Sequence, residues 1–338
     1  MRLENVLALT YGTLVNKPFV KIFTNVVLEA KAVKRGDLFM AFDETSIEEA
    51  ILNGAYGIIF STPTDISDDE IAWIRVENIE NALKRLLRFR LIDKDIKAYK
   101  TNEIVLKLAL QVVTEESFIA VLGDIQTLSK HLWEIDKGTI VLFCPTLCDK
   151  EIFTNTIELS DRAYKHVNII EQTLFETSFI YNDTFYERQL ISPFFIPYLE
   201  ILLHLFKNLG ITYKLKKFMP IDHFEAVFTN KRFEIKEFGT SDKVLIFEKD
   251  SKLIESEILF LEREVTWAKT LYVLPSSQKD MVNKIKNRED VVLYKNQNEI
   301  LNILRENYFH FALIVGVDKS LLAKPLVSQR ELTLFDIT

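Results

Sequence analysis

The chain has 338 residues, of which 48% are hydrophobic and 27% are charged. This length suits two or three domains, and the composition is that of an ordinary soluble protein with sizeable cores. The formal net charge is -7, with acidic and basic residues mixed along the chain, so a general nucleic-acid binder is not expected. The two cysteines, Cys144 and Cys148, exclude a disulfide framework and predict a reducing compartment.

Membrane and secretion signals are not expected either. The most apolar region, residues 190–209, is interrupted by two prolines, Glu200 and His204, so we predict no membrane span. The first residues carry Glu4 and lack a long apolar core, which does not match a signal peptide. We therefore expect a cytoplasmic protein. Only nine residues are glycine, which disfavours a glycine-rich catalytic loop.

The first 92 residues alternate between strand and helix patterns, which predicts an α/β fold. A turn at Arg35-Gly36-Asp37 leads into an apolar segment. Ser46 with Glu49 predicts a capping box that opens a helix, and Asn53-Gly54 ends that helix. The predicted strands cover residues 19–27, the part of residues 33–42 that follows the Gly36 turn, and residues 56–60 and 73–76, and a basic helix covers residues 79–90.

This segment carries a family resemblance. V-x-x-G-D-L-F-x-A at residues 33–41, a helix ending A-I-x-x-G-A and an apolar strand resemble the UDP-binding domain of Mur ligases. Mur ligases are ATP-dependent enzymes that build the peptidoglycan stem peptide, and the order of later segments best resembles their D-alanyl-D-alanine-adding branch. In that family a D-S-R triplet helps hold the UDP-sugar. Its place is taken here by Glu29-Ala30-Lys31, so the resemblance implies Glu29 and Lys31 as substrate-binding residues.

Lys100 and Thr101 directly precede a helical pattern of apolar residues. A lysine followed by Ser or Thr at a helix N-terminus ends a phosphate-binding loop, where the lysine reaches phosphate and the hydroxyl holds Mg²⁺. The resemblance implies ATP and Mg²⁺ here, because a G-x-x-G-K-T-T loop of Mur ligases falls at this place. Ile96 and Tyr99 replace its glycines. Either residual phosphate binding persists, or Lys100 and Thr101 form a helix start with nothing bound, which we favour because Tyr99 would crowd a phosphate.

Asp124 follows the predicted strand at residues 118–122. A carboxylate at the carboxyl end of a strand could hold Mg²⁺, and the resemblance would then make Asp124 a cofactor-binding residue; it could equally cap the next helix, which we prefer. Cys144 and Cys148 could form half of a metal site, but no histidine pair completes it, so a core residue and a loop residue are preferred. No residue replaces the metal-binding glutamate and modified lysine of the family, so we assign no catalytic or metal-binding residue.

The remaining chain continues the α/β pattern. A further strand is predicted at residues 139–143, residues 144–173 show no clear pattern, and a strand pair, turn and long helix follow from Phe175. The last segment alternates in the manner of a Rossmann-like domain. Its predicted strands cover residues 271–274, 291–294 and 311–315, and its predicted helices cover residues 278–287 and 298–307.

Together these patterns predict a three-domain architecture like that of Mur ligases. A Mur-ligase-like amino-terminal domain covers residues 1–92, a shortened central ATPase-like domain covers residues 93–237, and a Rossmann-like domain covers residues 238–338.

The leading hypothesis is a catalytically degenerate relative that binds a UDP-sugar peptide or a protein partner in cell-wall synthesis. The alternative is an active ATP-dependent carboxylate–amine ligase that uses Lys100 and Asp124. The tail at residues 329–338 somewhat resembles the L-x-L-F motif with which bacterial proteins bind the sliding clamp, although a docked terminal strand is preferred.

Overall fold

The computed structural model describes residues 1–62, 65–144, 152–160, 162–237, 239–285 and 288–323. Its architecture is α/β with parallel and mixed sheets, which confirms the predicted class. The chain forms two compact units, which we call unit 1 (residues 1–164 and 201–215) and unit 2 (residues 165–200 and those from 216 onward). The three predicted domain boundaries stay a prediction.

The first sheet of unit 1 is built by the amino-terminal residues and has the strand order β1-β5-β4-β3-β2. Strands β2 to β5 are parallel, and β1 pairs antiparallel with β5. The central strands β3 and β4 are buried along their whole length, as expected for a parallel sheet covered on both faces. The elements are α1 (Leu3–Thr10), β1 (Thr13–Leu14), β2 (Val26–Val27), β3 (Leu38–Met40), α2 (Ile47–Leu52), β4 (Gly57–Phe60), β5 (Ala72–Arg75) and α3 (Ile79–Leu91).

Two predictions in this region are wrong, the strand at residues 19–27 and the capping box at Ser46. The strand predicted at residues 19–27 is reduced to β2, and the first helix, α1, was not identified. The capping box is also wrong, because Ser46 has helical backbone angles (φ -87°, ψ -9°) and its side chain makes no cap bond. Asp43 holds this corner instead, since its Oδ1 accepts a hydrogen bond from the Ser46 N–H at 3.0 Å.

Two glycine turns lie in this region, one before β3 and one after α2. Gly36 has φ +100° and Gly54 has φ +96°, which residues with a side chain rarely adopt. Beside Gly36, the buried Asp37 carboxylate accepts hydrogen bonds from the Lys34 N–H at 2.9 Å and the Asn25 N–H at 3.2 Å. The predicted turns at both glycines are therefore confirmed, and the buried carboxylate fixes the first of them.

Helix α3 confirms the basic helix predicted at residues 79–90. Asn78 caps it, accepting a hydrogen bond from the Asn81 N–H at 2.9 Å. Its buried residues recur at helical spacing, so one face packs into the core and the basic residues remain on the other. The buried residues are Ile79, Ala82, Leu83, Leu86, Leu87 and Leu91.

The second sheet of unit 1 is entirely parallel and has the order β7-β8-β6-β9. Its two edge strands are β7 and β9. All three residues of β9 are exposed and two are polar, so no apolar alternation marked it as a strand. The elements are β6 (Lys97–Lys100), α4 (Glu103–Val112), β7 (Phe118–Val121), α5 (Ile125–Leu132), β8 (Ile140–Phe143) and β9 (Thr156–Glu158).

Unit 2 contains an antiparallel sheet, β10-β11-β12, and a five-stranded sheet of order β13-β14-β17-β15-β16. In the larger sheet β13 is antiparallel to β14 and the other strands are parallel. The elements are β10 (Asn168–Gln172), β11 (Thr177–Tyr181), β12 (Thr184–Gln189), α6 (Ile196–Leu209, which continues into unit 1), β13 (Glu225–Thr229), β14 (Lys243–Glu248), α7 (Ile254–Glu264), β15 (Thr270–Pro275), β16 (Val291–Tyr294), α8 (Ile300–Glu306) and β17 (Phe311–Val315).

The predicted strand pair, long helix and Rossmann-like strands of this part are confirmed. Strands β10, β13 and β14 and helix α7 were not identified. The helix predicted at residues 278–287 is a 3₁₀ segment, Ser276–Lys284, interrupted at Gln278 by non-helical angles. The other 3₁₀ segments are Ala30–Ala32, Ile92–Lys94, Pro193–Phe195, Arg288–Asp290, Gln297–Glu299 and Lys319–Ala323.

Among the described residues, none of the helices combines the length and the apolar character that crossing a bilayer requires.

Candidate functional site

The junction between β6 and α4 carries Lys100 and Thr101. Strand β6 ends at Lys100 and α4 begins at Glu103, so only two residues connect them. The Thr101 N–H donates to the Phe143 carbonyl at 2.9 Å and extends the pairing with β8. Asn102 caps α4 by accepting from the Val105 N–H at 3.0 Å. The turn is thus a short strand-to-helix connection rather than an open loop.

The Lys100 ammonium is paired across the sheet. Its Nζ lies 2.9 Å from Oε1 of Glu158, the residue opposite it in the register of β6 and β9. The Lys100 side chain is 25% exposed and that of Glu158 is 74% exposed. A positive charge therefore stands at the carboxyl edge of the sheet, where ligands bind in open α/β sheets, but a carboxylate already contacts it.

Asp124 lies at the same edge and caps α5. Its Oδ1 accepts a hydrogen bond from the Thr127 N–H at 2.8 Å, and this bond holds the pKa of Asp124 below its ordinary value. The preferred interpretation as a helix cap is confirmed. Strand β8 lies between β6 and β7, so the edge positions of Lys100 and Asp124 are separated by two strand spacings, about 10 Å.

The predicted substrate residues Glu29 and Lys31 flank Ala30 in a 3₁₀ turn. The Glu29 carboxylate accepts a hydrogen bond from Lys130 Nζ of α5, which lowers the pKa of Glu29. The Lys31 side chain is exposed. The acidic position of the triplet is thus tied to the helix that Asp124 caps.

A cavity of about 300 Å³ lies in unit 1 between the start of β2, the last turn of α3 and the end of α5. Phe89 and Trp133 supply aromatic walls, and Asn25 and Arg90 supply polar groups. Arg90 Nε donates to the Trp133 carbonyl at 3.2 Å, which fixes the guanidinium at the rim. Trp133 follows Lys130 by three residues, so the cavity lies about one helical turn from the Glu29 contact. Sequence reasoning missed it because its lining comes from four separate segments, at residues 1–5, 24–26, 86–93 and 133.

A smaller cavity of about 200 Å³ lies beside Glu158 and is lined in part by Tyr99, Tyr164 and His204. The Tyr164 and His204 rings stack with centroids 3.7 Å apart, and His204 Nε2 lies 3.0 Å from Asn208 Nδ2. Glu158 therefore borders this cavity while it contacts Lys100.

Metal binding can be assessed only for the described part of the chain, where no group of three or more His, Cys, Asp or Glu side chains is placed to hold an ion. Cys144 is buried, which fits the preferred core interpretation. Cys148 and the tail at residues 329–338 lie outside the described residues.

Of the comparisons with known proteins, only the one with solved structures finds similar proteins. No protein-family model matches the sequence, and no curated protein matches it. Among solved structures, MurF from Acinetobacter baumannii matches 95% of this chain and 98% of its own, with 10% sequence identity and a TM-score of 0.54. The chain has the Mur-ligase fold. The Thermotoga maritima MurF ligase in complex with ADP matches 88% of this chain and 94% of its own at 14% identity, with a TM-score of 0.48.

The Mur-ligase fold confirms the architecture that the motif at residues 33–41 indicated. At 10% identity the likeness extends to the path of the chain and not to individual side chains. The roles of Glu29, Lys31, Lys100, Thr101 and Asp124 in binding therefore stay predictions. Any function assigned to these residues depends on their geometry in this chain.

Proposed function

We propose that this protein is a catalytically degenerate member of the Mur-ligase fold that binds a peptidoglycan precursor or a cell-wall protein instead of ligating. The observation that carries the proposal is the Lys100–Glu158 ion pair at the closed junction between β6 and α4. The charge and the backbone of this junction disfavour nucleotide binding, and a cavity elsewhere in unit 1 favours a binding role.

The positive charge of Lys100 at the junction is already paired with the carboxylate of Glu158. A phosphate group approaching Lys100 would meet the Glu158 carboxylate 2.9 Å from the ammonium, so it would have to displace one anion with another. A phosphate-binding lysine acts as a point charge and needs to be available to the ligand. Glu158 competes with a phosphate for this lysine.

The backbone at the junction is also unsuited to phosphate. Phosphate loops use glycines to turn successive N–H groups toward the anion. Here Tyr99 is a buried strand residue, Thr101 pairs with β8, and Asn102 caps the helix. The described residues do not fit ATP, and Asp124, already used as a cap, does not fit a Mg²⁺ site on its own.

A binding role agrees with the cavity next to Glu29 and Lys130. Its volume of about 300 Å³ lies at the lower end for ligand sites, and its mix of aromatic and polar walls is typical of them. A UDP-sugar peptide offers a flat base for Phe89 or Trp133 and anionic groups for Arg90, whose guanidinium has only a loose ion pair with Glu134, at 3.7 Å. Lys31 does not line the cavity, but it is exposed two residues from Glu29.

Active ligation is the second candidate because the Glu158 partner of Lys100 is 74% exposed. Exposed ion pairs contribute only about 0–1 kcal/mol, so a nucleotide could in principle replace Glu158. The two candidates make opposite predictions for Mg-ATP.

Thermal unfolding of the full chain, with and without millimolar Mg-ATP, separates them. A ligand that binds the folded state raises the midpoint according to RT ln(1 + [L]/Kd). We expect no shift for the wild type. A shift that Lys100→Ala abolishes, and that the control Lys97→Ala at the other end of β6 preserves, would establish a working nucleotide site and contradict this proposal, and ligation would then be assayed directly.

Precursor binding is measured in the same assay with UDP-N-acetylmuramoyl-tripeptide. We expect a higher midpoint for the wild type and a smaller shift for Arg90→Gln. Arg88→Gln is the matched control, because Arg88 is an exposed residue of the same helix that does not line the cavity. If the precursor has no effect, a pull-down tests the protein-partner form of the proposal, and recovery of no cell-wall protein would reject that form as well.

A further inference from the structure

Unit 2 contains a buried pair of carboxyl groups that the proposed function does not use. Glu248 is the last residue of β14 and Glu257 lies in the first turn of α7. Both are 0% exposed. Acidic residues are almost never fully buried without a partner, because removing a charge from water costs several kcal/mol.

The Glu248 carboxylate accepts hydrogen bonds from three donors. Its Oε1 lies 3.0 Å from His223 Nδ1 and accepts from the Asp250 N–H at 2.6 Å, and its Oε2 accepts from the Phe224 N–H at 3.0 Å. Burial raises the pKa of Glu248, but the hydrogen bonds from His223, Glu257 and Asp250 outweigh it, and the pKa is lowered. Glu248 is therefore the charged member of the pair, and His223 Nδ1 must be the donor because a carboxylate only accepts.

Glu257 has the opposite surroundings. As a carboxylate, neither of its oxygens has a hydrogen-bond donor among the described residues. Burial raises its pKa well above the ordinary 4.5, and the negative charges of Glu248 and Asp250 raise it further. Other charges at this end of the sheet are engaged with one another, Lys249 with Asp318 and Lys319 with Glu225.

We propose that Glu257 is a neutral carboxylic acid that donates its proton to Glu248, and that this shared proton is a pH-sensitive lock between α7 and β14. Two carboxyl groups in contact in a buried site hold one proton between them, since two adjacent charges cannot both be sustained there. The proton satisfies the otherwise unpaired Glu257 and adds a fourth donor to Glu248.

The Glu248–Glu257 pair is connected to an aromatic cluster through Phe224. Phe224, which Glu248 holds through its N–H, has φ +46°, a conformation that non-glycine residues seldom adopt. Its ring lies 5.4 Å from that of Phe194 and 5.6 Å from that of Phe260, a residue of α7. Loss of the proton would place a charge on Glu257 beside Glu248 and Asp250, and would push α7 away from both the strand and this cluster.

The direct test is carbon-13 NMR of the full chain labelled on glutamate side-chain carboxyls. At pH 7 we expect one carboxyl signal at the position of a protonated acid. That signal should be absent from Glu257→Gln and present in Glu255→Gln, a change of an exposed carboxyl on the same helix. If every glutamate of the wild type is ionised at pH 7, the proposal is overturned, and this result needs no variant to fold.

The functional consequence is read by hydrogen exchange of the α7 amides between pH 5 and pH 9, corrected for the intrinsic rate. One proton bound only in the closed state makes protection fall about tenfold per pH unit while Glu257 keeps its proton. In Glu257→Gln, whose amide donates to Glu248 at every pH, this fall should disappear. Equal pH dependence in the variant and the wild type would contradict the lock.

Discussion

The carboxyl ends of β6 and β14 place charged groups in two contrasting ways. At β6 the terminal Lys100 meets Glu158 at an exposed edge, where water screens both charges. At β14 the terminal Glu248 is fully buried and meets a second carboxyl group, His223 and two backbone N–H groups. The first arrangement neutralises charge by pairing, whereas the second does so by retaining a proton. Whether a strand end is exposed to solvent therefore decides whether its charge is paired with an opposite charge or neutralised by a proton.

The largest effect should come from removing Glu248. Glu248→Ala leaves His223, the Phe224 and Asp250 N–H groups and Glu257 without their acceptor in a buried site, and we expect a loss of about 3–5 kcal/mol of unfolding free energy. Urea denaturation of the full chain, followed by hydrogen exchange in unit 2, measures it. Glu255→Ala should change stability by no more than about 0.5 kcal/mol. A similar small effect for Glu248→Ala would remove the contrast between the two strand ends.

Asp124 provides an intermediate case, because it is an exposed carboxylate at a strand end with one specific donor. Asp124→Ala should destabilise unit 1 by about 1 kcal/mol through loss of the α5 cap, and Asp124→Asn should retain most of that stability. Its pKa is lowered from 3.8, so the stabilisation is present above that pH and is lost as the pH falls through the folded-state pKa. Urea denaturation at pH 7 and pH 3 tests both statements.

The pH dependence of Glu257 has the opposite sign. Its pKa is raised from 4.5, so its contribution is fully present below pH 4.5 and is lost as the pH rises through the folded-state pKa. Protection of α7 should therefore weaken toward alkaline pH while the α5 cap is unaffected there. Parallel behaviour of the two helices across this range would show that burial does not distinguish them.

The smallest effect should come from the exposed pair. A double-mutant cycle with Lys100→Met and Glu158→Gln should give a coupling free energy below about 1 kcal/mol at low salt, and less at high salt because ions screen the charges. Denaturation of the four proteins at two salt concentrations measures it. A larger coupling free energy that does not change with salt concentration would mean that this pair behaves like the buried group at the end of β14.

Local patterns predicted much of the fold. The apolar periodicities of α3 and α4, the buried strands β4, β8 and β17, and the glycine turns at Gly36 and Gly54 depend on residues close in sequence, and the Mur-ligase resemblance rested on one such stretch. The capping box at Ser46 failed because the backbone angles, set by Asp43, override the residue preference. Strands β9 and β10 were missed because their exposed residues carry no alternation.

The sequence alone determined the α/β class, the place of Lys100 ahead of a helix and the absence of glycines from a phosphate loop, since each depends on a few consecutive residues. Only the tertiary structure decided what those residues contact. Glu158 is 58 positions from Lys100, Lys130 is 101 from Glu29, and Glu248 is 25 from His223. Such pairs form when the core brings distant strands and helices together, so whether a charge is paired, screened or kept neutral by a proton is a property of the packed chain.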